Sequence, residues 1–342
     1  MMDHFFLVCT SDFYYNNRIF DLDSSYNRDN YYYPFHYFKK KLAELSISID
    51  TYDFFDKTKN EKYGLIFFDM PDDIEKYIDD SNCLAKYLVI WESEVIRPTN
   101  WNKKDHMFFD KIFTWNDEYV DNIKYFKINF SHKIGEEIVI DLSKKSKLCT
   151  MISAHKFRNH PLELYSERLK TIRWFEQNHP EDFDLYGMDW DKFRFKGAFS
   201  PMNHIIDRFK ILNLIFKPDF PSYMGKVRSK NETYGKYKFA ICYENARDIS
   251  GYITEKIFDC FYGACVPIYW GPENITEHIP ANTFINRHDF ETYDELYNTI
   301  KHMDDEEYKG YLEAIKNFIK SDEIHQFSSE YFAEILISNI VE

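Results

Sequence analysis

Apolar residues in this chain gather into short runs, and between the runs they recur at every third or fourth position. Runs at 5–9, 47–51, 65–68, 87–91, 111–115 and 125–130 read as strands, and the intervening periodicity predicts helices over 34–45 and 74–78. The stretch 133–147 is polar and mixed in charge, and is expected to link two domains. A second series follows, with strands at 148–153 and 183–186 flanking a long helix over 162–178. It continues with a strand at 237–243, a helix in which Ile253, Ile257, Phe258 and Phe261 share one face, and a strand at 266–270 ended by Gly271 and Pro272. Gly263 stands where that helix should stop. Helical patterns over 293–302, 306–320 and 329–341 complete the chain. Strands alternating with helices argue an α/β chain whose parallel sheets are covered on both faces. The expected layout is two Rossmann-like domains, 1–145 and 146–325, with a C-terminal helix (326–342) packing back. Ligands of such sheets sit beyond the carboxyl ends of the strands, where helix N-termini point.

The 342 residues are 44% hydrophobic and 19% aromatic, which supports well-buried cores and argues against global disorder. The net charge of −14 argues against a general nucleic-acid or anionic-membrane surface, so an anionic ligand requires Arg and Lys gathered locally. Cys9, Cys83, Cys149, Cys242, Cys260 and Cys265 form no CxxC pair and mostly lie in apolar runs, which predicts buried free thiols. The opening MMDHFFLVCT has an acid where a signal peptide needs a base, and too few apolar residues to span a bilayer. The expectation is a cytoplasmic chain without an integral membrane segment. The acidic last segment EYFAEILISNIVE announces no membrane contact, although a peripheral one stays open.

The densest chemistry lies between Tyr237 and Phe290. A strand ends in Glu244 and Asn245, a loop with Ser250 and Gly251 follows, and Tyr252, Glu255 and Lys256 fall at the start of the next helix. Free backbone N–H groups and the positive end of the dipole already favour phosphate there. A cation at that end is mildly unfavourable for the helix alone, so Lys256 points to a bound counter-anion. Glu255 can accept hydrogen bonds from sugar hydroxyls, and Tyr252 can pack against a sugar or base. In the first series, Glu92 and Glu94 follow the strand at 87–91, where a carboxylate can face a cleft between domains. On the long helix, Arg168 and Arg173 each offer a guanidinium fork suited to phosphate oxygens.

Tyr237-Lys238-Phe239, Tyr243-Glu244-Asn245, the run from Tyr252 to Lys256, Val266-Pro267-Ile268 with Gly271, and Arg287-His288-Asp289-Phe290 together resemble the donor-binding motif of the α1,3/α1,4-fucosyltransferases, glycosyltransferase family 10, and most of all its bacterial branch. Several fixed spacings match at once, which makes the resemblance specific. It implies the GT-B arrangement, two Rossmann-like domains facing a central cleft, with a helical C-terminus. It also implies an inverting transfer of L-fucose from GDP-β-L-fucose to a glycan containing N-acetylglucosamine, giving Lewis antigen-like products. Glu92 takes the place of the proposed general base, with Glu94 next, and Arg168, Asn245, Tyr252, Glu255 and Lys256 fall to the donor. Segment 225–237 has the family spacing, retaining Val227, Lys230, Asn231 and Glu232, but Gly225 replaces a tyrosine of the bacterial branch. Tyr223, Lys226, Lys230 and Glu244 are therefore secondary donor-site candidates. Two fixed cations can carry the charge on departing GDP, so no metal or other cofactor is expected to be required, a divalent ion being at most stimulatory. The alternatives are the same fold with another GDP-linked sugar, or a carbohydrate-binding protein without catalysis.

Overall fold

The computed structural model describes residues 3–59, 61–135, 137–192 and 218–341. Each series builds a wholly parallel sheet. The first holds β1 (His4–Cys9), β2 (Ser48–Thr51), β3 (Tyr63–Phe68), β4 (Cys83–Ile90), β5 (Lys111–Thr114) and β6 (Tyr125–Lys127), in the order β2-β1-β3-β4-β5-β6. The second holds β7 (Lys147–Ile152), β8 (Phe183–Tyr186), β9 (Tyr237–Tyr243), β10 (Val266–Trp270) and β11 (Ile285–Asn286), in the order β11-β10-β9-β7-β8. Counted from its own first strand, the second sheet repeats the order of the first. In both, the winding direction reverses beside the first strand, and a crevice opens there at the carboxyl ends.

The period-two alternation of the strands sorts their side chains. Phe5, Leu7 and Cys9 of β1 join the core covered by α1 (Tyr33–Glu44), while Phe6 and Val8 turn to the opposite face with Leu65 and Phe67. β4 extends further toward its N-terminus than expected, because Cys83 to Lys86 pair with β3 although they are less apolar. β6 stops at Lys127; Ile128 and Phe130 leave the sheet yet stay buried in the core. Residues 74–78 form only a short 3-10 turn, Ile74–Tyr77.

In the second series, α2 (Tyr165–Asn178) begins later than its periodicity suggests. The chain at 162–164 is instead pinned to the end of β9, through Leu164 N–H to Asn245 O (3.1 Å) and Arg247 N–H to Leu162 O (2.9 Å). A short helix, α3 (Lys230–Tyr234), opens on a Ser229 cap, and α4 (Glu255–Tyr262) packs beside it. Gly263 does end α4, but with φ −79; its missing Cβ would stand 2.4 Å from Cβ of Tyr234, so glycine is required by the close approach of α3. Helices α5 (Tyr293–His302), α6 (Asp305–Lys320) and α7 (Ser329–Ile340) follow. Phe332, Ala333, Leu336 and Ile340 of α7 share the core of Phe35, Phe38 and Leu42 on α1, so the last helix completes the first unit. All six cysteines are free thiols. Among the described residues, no helix is long and apolar enough to cross a membrane.

Candidate active site

The facing carboxyl ends of the two sheets enclose a cleft of about 820 Å³. Although the chain is strongly acidic, among the described residues eight lysine and arginine side chains line this cleft against four carboxylates. The local excess of positive charge suits an anionic ligand of nucleotide-sugar size.

One wall is the end of β9 and the start of α4. Glu244 is completely buried, and its carboxylate organises this corner. It accepts hydrogen bonds from Thr254 N (2.8 Å), Thr254 Oγ1 (2.7 Å) and Tyr269 OH (3.3 Å), and pairs with Lys256 Nζ at 3.0 Å. Glu244 is thus the anchor behind Lys256, and it does not line the cleft as a donor contact. Lys256 also donates to Thr254 Oγ1 at 2.7 Å and stands 3.6 Å from Glu255 Oε1. Burial alone would lower its ammonium, but the carboxylates of Glu244 and Glu255 outweigh it and hold Lys256 above its ordinary value. Glu255 faces the cleft from the first position of α4. Burial works against its ionised form; Lys256 and Lys230 overcome that and bring it down to about 2.

Arg168, in the first turn of α2, is 6% exposed. Its Nη2 donates to the carbonyls of Tyr243 (2.6 Å) and Glu244 (2.7 Å) and to Asn245 Oδ1 (3.1 Å), so the guanidinium clamps the end of β9 while reaching the cleft floor. Arg173, by contrast, pairs with Glu176 at 2.6 Å and bonds the carbonyl of Asp219, and does not line the cleft. Asn245 bridges Arg168 and the hydroxyl of Tyr252, its Nδ2 lying 3.5 Å from that oxygen.

Glu92 enters from the opposite wall, one residue past Trp91 at the end of β4. Its backbone is held firmly: the N–H donates to Asp69 Oδ1 (3.0 Å), and the carbonyl accepts from Asn100 Nδ2 (3.0 Å) and Trp101 Nε1 (3.3 Å). Burial, the Asp69 carboxylate and Glu255 together push the Glu92 carboxyl up to about 7, against the opposing pull of Lys256 and Lys156. Glu94 is turned out of the cleft, 3.6 Å from Nε2 of His160.

Tyr252 departs from the expected stacking role. Its ring is fully buried between Trp115 (4.6 Å) and Phe130 (5.9 Å), so it plugs the second unit into the core of the first and presents its hydroxyl toward Asn245. Tyr223 also departs: it does not itself line the cleft, and its hydroxyl donates at 2.9 Å to the carbonyl of Gly187, which does. Lys226 is exposed at the cleft rim. Lys230 lines the cleft but is engaged by Asp259 (2.7 Å) and by Asp29 of the first unit (3.7 Å). Burial lowers its ammonium, and Asp259 and Glu255 more than restore it. Nearby, Asp117 accepts hydrogen bonds from His278 (2.9 Å), Asn274 (2.9 Å) and Ser250 (3.3 Å), tying the two units together. Here Gly251, at φ +76, brings the loop so close that a Cβ would meet the Trp115 carbonyl at 2.3 Å.

Lys156 and His132 line the cleft as well, with nothing in their sequence context to single them out, and Asp69 is buried behind it, holding the Glu92 N–H. Asp69 carries the one weak signal, an acid directly after an apolar run, where its backbone adopts φ +63.

Residues 220–334 match the family model described as glycosyltransferase family 10 (fucosyltransferase) C-term. Over 77 residues the chain is 40% identical to the alpha-(1,3)-fucosyltransferase FucT of Helicobacter pylori, covering 22% of this chain and 16% of that protein. Over 98 residues it is 36% identical to the 4-galactosyl-N-acetylglucosaminide 3-alpha-L-fucosyltransferase 9 of Mus musculus, covering 27% of each. The matched segments thus span under a third of these relatives' own length. Along nearly the whole chain, the fold is similar to a crystal structure of alpha1,3-fucosyltransferase (TM-score 0.54, 13% identical, covering 98% of this chain and 90% of that one). It is equally similar to Anabaena Alr3699/HepE in complex with UDP (TM-score 0.56, 9% identical, 99% of both chains). Identities this low speak for the fold alone. The architecture is of the GT-B type, and residues 220–334 are similar to the C-terminal domain of glycosyltransferase family 10.

Proposed function

We propose that the protein is an inverting α1,3-fucosyltransferase that moves L-fucose from GDP-β-L-fucose to a hydroxyl of a glycan containing N-acetylglucosamine. The observation that carries this reading is the meeting of two unlike carboxylates across one cationic cleft. Glu92, pushed up to about 7 on the first wall, is poised to take a proton near neutral pH. Glu255, held down to about 2 on the second, stays ionised and is suited to hold sugar hydroxyls. Between them, Lys256 and Arg168 offer fixed positive charge where the diphosphate of a leaving nucleotide would gain negative charge. In the proposed step, the acceptor oxygen loses its proton to Glu92 and attacks the anomeric carbon from the face opposite GDP. The bond to the β-phosphate oxygen breaks as the new bond forms, which inverts the centre to an α linkage. The activity for which the mouse relative is named, that of a galactosyl-N-acetylglucosaminide fucosyltransferase, supports that acceptor class.

The two cations make a metal dispensable in this scheme. The test is calorimetry with GDP-fucose, GDP-mannose and UDP-galactose, followed by turnover on N-acetyllactosamine acceptors in EDTA and linkage analysis of the product. Tighter binding of the uridine donor overturns the guanosine assignment. Complete loss of activity in EDTA overturns the metal-free scheme, and donor binding without GDP release at any acceptor favours a carbohydrate-binding role.

A further inference from the structure

His132 reaches the cleft from the segment that leaves the first sheet. Its backbone is fastened by the chain that leads into α7: the N–H donates to Phe327 O (2.8 Å), and the carbonyl accepts from Ser329 N (3.0 Å) and Ser329 Oγ (2.9 Å). Its ring packs on Phe258 of α4, with centroids 4.4 Å apart. The imidazole is therefore fixed from two sides. Yet its Nε2 is buried with no hydrogen-bond partner among the described residues. A buried polar nitrogen left unpaired keeps its full desolvation cost, so a fold that orders one so firmly calls for an explanation.

The surroundings indicate what would satisfy it. Glu255 and Lys230 are the charged groups that bear on the ring, and Glu255 also bears on Glu92. A ligand atom shared between a carboxylate and an imidazole nitrogen must give a hydrogen bond to the first and exchange one with the second. A hydroxyl can do both; a phosphate oxygen would be repelled by Glu255. We propose that His132 Nε2 binds a hydroxyl of the transferred sugar together with Glu255, and so reads the sugar part of the donor. This rests on the glycosyltransferase reading above. Burial, relieved only in part by Glu255, brings the imidazole down to about 4, so at neutral pH it is uncharged and can act as donor or acceptor according to its tautomer.

The test compares GDP with GDP-fucose, because the two ligands differ only in the sugar. His132→Phe keeps a ring against Phe258 and removes both nitrogens; His132→Gln restores a polar group of similar reach. For His132→Phe, the expected result is GDP affinity within about twofold of wild type and GDP-fucose affinity about tenfold weaker, with the KM for donor raised by a similar factor. His132→Gln should recover part of that loss. Equal weakening of GDP and GDP-fucose, or no change in either, overturns the assignment and leaves His132 a packing residue. A His132→Phe chain that fails to fold leaves the Gln variant to decide by the same comparison, and a Gln variant identical to wild type for both ligands also counts against it when His132→Asn shows no sugar-selective loss either. A wild type that binds neither ligand removes the glycosyltransferase reading itself, and the role of His132 with it.

Discussion

Replacing Glu92 by glutamine should remove turnover and, as pH rises from the ordinary carboxyl range through neutrality, increasingly stabilise the fold. The carboxyl moves from its ordinary 4.5 in the unfolded chain to about 7 in the folded one. A group whose folded value is raised favours the folded state fully below its unfolded value, and that advantage is lost as pH rises through the folded value. At about 1.4 kcal/mol per pH unit, ionised Glu92 costs the fold about 3 kcal/mol at pH 8, and water on the cleft side trims this to about 1–3 kcal/mol. Glutamine mimics the protonated form and escapes that cost. Chemical denaturation of both proteins should therefore show Glu92→Gln the more stable at pH 8, with the gap shrinking to below about 1 kcal/mol at pH 5. In the same samples, GDP release should fall roughly 10²–10⁴-fold in the variant. Wild-type kcat/KM should rise through neutrality, since only about a tenth of Glu92 is ionised at pH 6 and about nine-tenths at pH 8. A variant less stable than wild type at pH 8, together with a wild-type rate flat from pH 6 to 8, would refute both the raised carboxyl and its role as base.

Lys256→Ala should weaken GDP and GDP-fucose alike, by about 1.5–3 kcal/mol in calorimetry, and unchanged GDP affinity would remove Lys256 from the phosphate site. Tyr252→Phe should change donor affinity by less than about 1 kcal/mol because its hydroxyl contact is long, whereas Tyr252→Ala should destabilise the protein by about 3–5 kcal/mol in a thermal melt; a stable alanine variant with lost donor binding would restore the stacking role. Gly251→Ala should cost about 1–3 kcal/mol, since it adds strain at φ +76 and a clash with the Trp115 carbonyl, and a melting temperature equal to wild type would show that the loop can yield.

Much of the architecture was written in the periodicity. The apolar runs placed the strands because alternating or continuous burial needs them, and the strand at 266–270 and the helix at 293–302 stand where the pattern put them. Ends were less legible. The start of α2 is decided by hydrogen bonds from 162–164 to a strand end far away in sequence, which no local propensity encodes. The site divides the same way. Glu255 and Lys256 are recognisable because helix start and charge lie side by side in sequence. Glu244 was legible as a polar residue but not as the buried counter-ion of Lys256, because that depends on the fold turning Thr254 and Tyr269 toward it. Tyr252 invited a ligand role because an aromatic beside a loop reads alike whether its ring meets a sugar or the indole of Trp115. Lys156 and His132 come from segments that only tertiary structure brings to the cleft, and Asp69 reaches only the backbone behind Glu92.

The return of α7 to α1 has a consequence for biosynthesis. Phe35, Phe38 and Leu42 emerge from the ribosome about 300 residues before the residues that cover them, Phe332, Leu336 and Ile340. At roughly 5–20 residues per second, the first unit waits roughly 10–40 seconds after its own strands are complete, with an apolar helix face open to water. During that interval it is a natural client for a chaperone, and a nascent chain that stalls or terminates before residue 329 would leave the ribosome with that surface uncovered.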